Sequence, residues 1–441
     1  MMQRTIQDTL SEWKINPNRK PLLVRGARQI GKTYTIESFA KNFASSLTIN
    51  FERNPEFKKI FNINDPDLII EQIELLTGKR IIPGQTLLFL DEIQECPEAI
   101  ISLRYFYEEK QELHIVGAGS LLEFTLSSET LSIPVGRIQY LYMYPLSFSE
   151  FLTALGYDHL RQYLMGPGNL SRISEAVHRK LLQQLRLYYI LGGMPEVVQT
   201  YINTKDTNAC QLVQQSIADT YRDDFAKYAS QVKFENLRKI FSVVPNMIGD
   251  KFVYTNVDPD TRSRELKGAL TLLETAGILY RVKNTSGAGI PLESHAKDRY
   301  FKVIFLDIGL MHTINGMDRE IVLGDNLTDI YKGTLAEQFV GQELLAYTSP
   351  YHKKSLYYWA RDKRGSSAEI DYLIQNNGQI TPIEVKSGPT GRMKSMKLYR
   401  DAYNPKQAIK ISQAPYNDQQ EILELPLYAM EYLIKPVTES P

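Results

Sequence analysis

The chain has only two cysteines in 441 residues, Cys96 and Cys210, and they lie far apart. That excludes a disulfide framework and suits a reducing cytosol. The six histidines (His114, His159, His178, His295, His312 and His352) show no ligand spacing, which argues against a zinc site. An excess of charge of one sign is also missing. With 51 basic and 51 acidic residues in balance, no global charge advertises a nucleic acid or a membrane, and any basic surface must be local. No apolar run is long enough to span a bilayer, and the start MMQRTIQDTLSEW carries no apolar signal core, so the expectation is a cytoplasmic protein without membrane contact.

What the chain does have begins at Leu23, with LVRGARQIGKT. A short apolar run precedes these residues and a helically spaced one, YTIESFAKNF, follows, so the glycines sit at a strand-to-helix junction. Closing backbone N–H groups around phosphate oxygens requires small residues, and a helix N-terminus aimed at the same charge assists. Gly26, Ala27, Arg28, Gln29, Ile30, Gly31, Lys32 and Thr33 are the expected phosphate loop. Lys32 would reach the β- and γ-phosphates, and Thr33 would offer its hydroxyl to magnesium.

About sixty residues on, TLLFLDEIQ reads as a strand buried on both faces and ending in two carboxylates. Asp91 would hold the magnesium through water, and Glu92 would orient or deprotonate the attacking water. Up to about residue 145, short strands expected at Leu22–Val24, Leu47–Phe51, Leu87–Leu90, Leu113–Val116 and Ile138–Tyr142 alternate with helical segments, the pattern of a parallel α/β sheet. The fourth strand runs into GAGSLLEF. There Gly119 would allow close approach and Ser120 is a candidate contact for the γ-phosphate or water, or a helix N-cap.

RGARQIGKT, INFE, LLFLDEIQ, VGAGSLL and PVGRIQYLYMYPLSFSEFL together resemble the prokaryotic AAA-type ATPases that carry a C-terminal domain of unknown function, DUF4143. GGMPEVV, YRDDFAKY, FLDIGL and LAEQFVGQELL resemble later blocks of that family. The resemblance, together with the absence of a guanine-reading N-K-x-D, implies ATP as the nucleotide. In such hydrolases an arginine from the same or a neighbouring subunit stabilises transition-state charge. Arg137 is the candidate, Arg28 and Arg104 are rivals, and assembly into a homo-oligomer stays open.

From about Ser147 the pattern turns helical and looks like the lid that follows an AAA-type core, broken at Gly192-Gly193 and Pro195. TRSRELKGALTLLETAGILYRVK and RYFKVIFLD then read as helix, strand, loop and strand, a winged-helix signature. In a DNA-binding reading Arg262, Arg264 and Lys267 would face phosphates; winged helices also serve as protein-interaction modules.

The last segment, SLYYWARDKRGSSAEIDYLIQNNGQITPIEVKSG, places Glu369 and Asp371 on one strand, a turn at Asn376-Asn377-Gly378, and Glu384 and Lys386 on the next strand. Asp371 and Glu384 could then share a hard divalent cation, magnesium or manganese, with Lys386 positioning water. The arrangement resembles the PD-(D/E)xK nuclease superfamily, whose preceding helix often adds a glutamate; Glu337 occupies the matching place. Residues 351–411 hold twelve lysines and arginines against five acidic residues, with Tyr357, Tyr358 and Trp359 interleaved, a surface suited to a nucleic-acid backbone.

The expected architecture is α/β: a P-loop NTPase core of AAA type (1–150), a helical lid (151–229), a winged-helix domain (230–320) and a restriction-endonuclease-like α/β domain (321–441). The expected function is magnesium-dependent ATP hydrolysis coupled to action on DNA. The alternative is an ATP-controlled switch or assembly protein whose last domains bind partners without cleavage.

Overall fold

The computed structural model describes residues 2–120, 122–126, 133–228, 231–316, 329–361, 368–376, 378–388 and 393–434. Asn377 of the expected hairpin turn, Leu121 of GAGSLLEF, and the expected boundaries at 229/230 and 320/321 lie outside these residues. The chain divides into two compact units. One comprises Gln3–Tyr144 and Ser349–Lys353, the other Pro145–Thr348 and Lys354–Pro441 with the first two residues.

The first unit is built on β1 (Leu22–Arg25), β2 (Ser45–Asn50), β3 (Thr86–Asp91), β4 (His114–Ala118) and β5 (Gln139–Tyr142), ordered β2-β3-β4-β1-β5 with every pairing parallel. All six residues of β3 and all five of β4 are buried. Strands covered on both faces gain by being apolar throughout, which is why their sequences run without alternation. The covering helices are α1 (Ile6–Ile15), α2 (Lys32–Ala40), α3 (Pro66–Thr77), α4 (Pro97–Glu109) and α5 (Leu122–Leu126). Leu23, Ile49, Leu88, Leu90, Ile100, Leu103 and Phe106 belong to one core between sheet and helices. The start of α3 shows how local sequence fixes an end. Asp65 accepts from the Asp67 and Leu68 amides with Pro66 in the first turn, and Gly78 closes the helix at φ 65°.

Because the strands are parallel, their C-terminal ends fall on one edge of the sheet. Beyond β5, the Tyr142 amide donates to the Pro350 carbonyl at 2.7 Å, so a five-residue segment from late in the chain completes this unit.

The second unit opens with helices at Phe148–Ala154, Glu175–Leu191, Pro195–Thr204, Thr207–Tyr228 and Gln231–Val243. It continues through helix Ser263–Thr275, β6 (Leu279–Thr285), β7 (Ala296–Phe305), helices Ile308–Ile314 and Asp329–Ala346, β8 (Leu356–Ala360), β9 (Glu369–Asn376), β10 (Gln379–Val385), helix Lys394–Tyr403, β11 (Ile409–Ser412) and β12 (Leu423–Pro426). The seven strands form one mixed sheet, ordered β12-β11-β10-β9-β8-β6-β7.

This differs from the expected separate winged-helix and nuclease-like domains. The β6–β7 hairpin follows its helix as anticipated, but β6 also pairs in parallel with β8, Val282 opposite Leu356, so the hairpin is the edge of the C-terminal sheet. Sequence spacing exposes a hairpin and hides the partner of its other edge.

The LAEQFVGQELL block lies on helix Asp329–Ala346, and its polar residues satisfy backbone groups elsewhere in this unit. Gln338 accepts from the Phe305 amide and donates to the Phe305 carbonyl, both at 2.8 Å. Gln342 accepts from the Ile308 amide at 3.0 Å and donates to the Tyr188 hydroxyl at 2.8 Å. Glu343 accepts from the Phe148 amide at 3.0 Å. Buried backbone groups outside regular ladders need such partners, which gives these amides and this carboxylate a structural reason to be there.

Candidate functional site

The loop from β1 to α2 bends through left-handed backbone at Gly26 (φ 138°), Gln29 (φ 62°) and Gly31 (φ 89°). A Cβ on Gly26 would stand 2.4 Å from the Met143 carbonyl oxygen, so only glycine fits where loop and β5 extension meet. Arg4 braces the loop, donating to the carbonyls of Ile30 at 3.0 Å and Tyr144 at 2.6 Å. Lys32 begins α2 and is buried. Its ammonium donates to the carbonyls of Gly26 at 2.9 Å and Ala27 at 2.7 Å. Burial pushes its pKa down to about 8, against the opposing pull of Glu92 and Asp91.

At the end of β3, Asp91 accepts from the Thr33 hydroxyl at 3.1 Å and from the Asn50 amide at 2.9 Å. Burial raises its pKa, an effect these hydrogen bonds only partly offset. Glu92 follows in left-handed backbone, φ 49° and ψ 45°. One carboxylate oxygen accepts from Gln94 Nε2 at 2.7 Å, the Ser120 amide at 3.1 Å and the Ser120 hydroxyl at 3.2 Å. Burial alone would raise the Glu92 pKa; these donors and the Lys32 ammonium outweigh it and hold the group below its ordinary value. Gln94→Ala should therefore raise the Glu92 pKa and move the acid limb of the ATPase pH profile to higher pH. An unmoved limb in the kcat profile would show that Gln94 does not govern the ionisation of Glu92.

Arg28, Gln29, Gly31, Lys32, Thr33, Tyr34, Asp91, Glu92, Gly119 and Ser120 line one cleft of about 250 Å³. The donor set fits a magnesium nucleotide: a buried ammonium for phosphate oxygens, and a hydroxyl and carboxylate in contact for a hard cation. Arg137 stands elsewhere. It is exposed and its Nε lies 2.8 Å from Glu108, which Arg104 also contacts at 3.2 Å. Of the three candidate arginines, only Arg28 lines the cleft.

In the second unit, β9 and β10 pair with Asn376 opposite Gln379 and Tyr372 opposite Ile383, so the register brings Asp371 beside Glu384. The Val385 amide donates to Asp371 at 2.7 Å, and the Lys386 ammonium lies 2.7 Å from Glu384. The structure adds a group that the sequence reading left out, Lys302 of β7. Only 2% exposed, its ammonium is 2.8 Å from Glu337, contacts Glu369, and lies 3.9 Å from Asp371. Burial and the neighbouring carboxylates push the Glu337 pKa up, while the Lys302 ammonium opposes them. Glu384 rises for the same reasons, burial first and Asp371 second.

The expected divalent cation does not fit here as the side chains stand, because the Lys302 ammonium already lies among Glu337, Glu369 and Asp371. Among the described residues, no group of three or more His, Cys, Asp and Glu side chains is arranged to hold a metal ion.

Residues 18–152 match the AAA domain family. Residues 332–429 match DUF4143, a domain of unknown function, and residues 182–320 match another, DUF8612. The first two are the families that the sequence motifs resemble. No curated protein matches the chain. Similar solved structures include a Walker-type ATPase of Pyrococcus abyssi, at 13% identity over 71% of this chain and 96% of that one, TM-score 0.45. The ORC2 protein of Aeropyrum pernix in ADPNP–ADP complexes is 13% identical over 73% of this chain and 94% of its own, TM-score 0.34. The ORC1 protein of the same organism in complex with DNA is 12% identical over 71% and 93%, TM-score 0.29.

Around the first unit's cleft, Asn50, Gln94 and Arg4 escaped the sequence reading. Asn50 ends the strand next to β3 and Gln94 lies two residues beyond Glu92, so position along the strands was the available signal. Arg4 offered none, since its contact spans 26 residues. Lys302 did leave a trace, as the one charge inside the apolar run of RYFKVIFLD.

Proposed function

We propose that the AAA domain binds ATP with magnesium and hydrolyses it, and that this cycle controls the second unit. The observation that carries the proposal is the convergence of Lys32, Thr33, Asp91 and Glu92 on one cleft at the C-terminal edge of a parallel sheet. Magnesium held by Thr33 and Asp91 would supply neutralisation of the charge that develops on the transferring phosphoryl group. Lys32 binds the phosphate oxygens as a point charge. Glu92, with one oxygen held by Gln94 and Ser120, takes the proton of the attacking water. Phosphate release from ATP by the full chain, dependent on magnesium, tests the proposal; no release above buffer would overturn it.

Arg137 bears on how the site is completed. Its exposed ion pair with Glu108 is worth little, so Arg137→Ala should leave ATP affinity in the single chain within about twofold of wild type. A role as a charge-stabilising arginine would then be exercised on a neighbouring subunit, and turnover, not affinity, would fall. A tenfold loss of affinity in a nucleotide titration would instead put Arg137 in its own chain's cleft.

A second reading concerns the larger unit, and it is action on DNA. It is supported by the local excess of twelve basic over five acidic residues in 351–411. Lys394, Lys397 and Arg400 also line a groove of about 780 Å³, alongside Asp401 and Glu421. Retention of a DNA duplex or single strand that differs between ATP and ADP, and weakens in Lys394→Ala/Lys397→Ala, would support it. No retention in either nucleotide would leave the switch whose last domains bind other partners.

A further inference from the structure

The carboxylates on β9, β10 and helix Asp329–Ala346 present a physical problem. Asp371 and Glu384 are cross-strand neighbours, Glu369 shares a face with Asp371 two residues away, and Glu337 approaches from the helix. Like charges opposite one another on paired strands are destabilising, and more so away from water. A divalent ion is one solution. This chain holds another, for the Lys302 ammonium lies among Glu337, Glu369 and Asp371, while Lys386 attends Glu384.

We propose that Lys302 is the resident counter-cation of this cluster, that it excludes a divalent ion, and that removing it unmasks a latent metal site formed by Glu337, Asp371 and Glu384. Three observations carry this. Lys302 is buried on β7, and its ammonium lies 5.5 Å from the centre of the Tyr358 ring, so the charge is enclosed by the fold. Two strands, β6 and β8, separate β7 from β9 in the sheet, so the contact depends on the hairpin being part of the C-terminal sheet. Finally, Glu384 is 5% exposed and its Oε2 is buried without a hydrogen-bond partner among the described residues, leaving an acceptor that a cation could use.

A buried cation in place costs nothing further, whereas a second cation beside it must repel the first or drive it from its enclosure. The consequence reaches past stability. A phosphodiesterase of the kind that the strand pattern resembles draws on a hard cation to polarise its substrate. With Lys302 in that position, the second unit engages partners by binding and not by metal-dependent cleavage.

The test titrates manganese, as the metal alone, into the full chain. Every protein carries Asp91→Asn, so that the nucleotide cleft contributes no site. With Lys302 present, no Asp371-dependent manganese binding is expected by calorimetry or by the electron spin resonance of free manganese. Lys302→Met, which keeps the apolar stem, should bind manganese more tightly by a factor on the order of 100, and Asp371→Asn should abolish the gain. If the Lys302→Met protein does not fold alone, refolding in manganese counts as the same gain, and failure to refold counts against the proposal. Asp371-dependent binding with Lys302 intact overturns it. So does a folded Lys302→Met protein that binds no manganese, because the carboxylates would then not form a ligand set.

Discussion

Lys32→Ala is expected to lose ATP affinity by at least a factor of roughly 100, corresponding to about 3 kcal/mol for charge-assisted hydrogen bonds to phosphate in a buried setting. The ammonium is preplaced, held by two loop carbonyls at 2.9 Å and 2.7 Å, so little reorganisation opposes binding in the wild type. Burial adds a pH signature. With its pKa pushed down to about 8, Lys32 of the free protein is charged below that pH and neutral above it, and bound phosphate favours the charged form. Wild-type affinity should hold below pH 8 and fall above it, by up to about tenfold per pH unit. The Lys32→Ala protein should lack that fall.

Glu92→Gln makes the complementary separation. The amide keeps the size of the group and lacks the base, so ATP should still bind while turnover falls by about 10²- to 10⁴-fold. Calorimetry on both variants, with circular dichroism to confirm folding, is decisive. Unchanged affinity in Lys32→Ala would remove the phosphate-loop assignment, and unchanged turnover in Glu92→Gln would remove the base.

The sequence disclosed most where the physics is local. A strand buried on both faces must be continuously apolar, so TLLFLD declared itself. A phosphate loop must place glycines and a lysine within a few residues, so Gly26 to Thr33 could be read at once. The rule that parallel strands end on one edge then joined Lys32 to Asp91, Glu92 and Ser120. Contacts set by the tertiary path were another matter. Nothing in RYFKVIFLD says that Lys302 will meet a glutamate 35 residues later, and nothing in the β6–β7 spacing says that β6 will pair with β8. The carboxylates of the C-terminal cluster are legible from the hairpin spacing, yet the cation that lies among them is a side chain of β7. Repulsion among Glu337, Asp371 and Glu384 demands a positive charge without specifying its source.

Asp307→Ala should destabilise the chain by about 2–4 kcal/mol, combining a lost helix cap with a buried amide left unpaired. Asp307 is completely buried at the end of FLD, and burial pushes its pKa up to about 6, so at pH 7.5 it is a carboxylate. One oxygen accepts from the Leu310 amide at 3.0 Å, capping helix Ile308–Ile314, and the other accepts from the Gly193 amide at 2.6 Å. Gly192 is left-handed at φ 70°, and a Cβ there would stand 2.1 Å from Asp307 Oδ1, so the GGMPEVV turn and this carboxylate are fitted to each other. That mutual fit gives both sequence blocks a structural cause. Alanine removes both acceptors, whereas Asp307→Asn retains an oxygen for one of the two amides and should lose less. Urea unfolding of the full chain at pH 7.5 distinguishes them. Equal losses for alanine and asparagine would mean that the negative charge, and not hydrogen-bond acceptance, holds the turn, and a loss below about 0.5 kcal/mol for alanine would mean that water replaces the carboxylate.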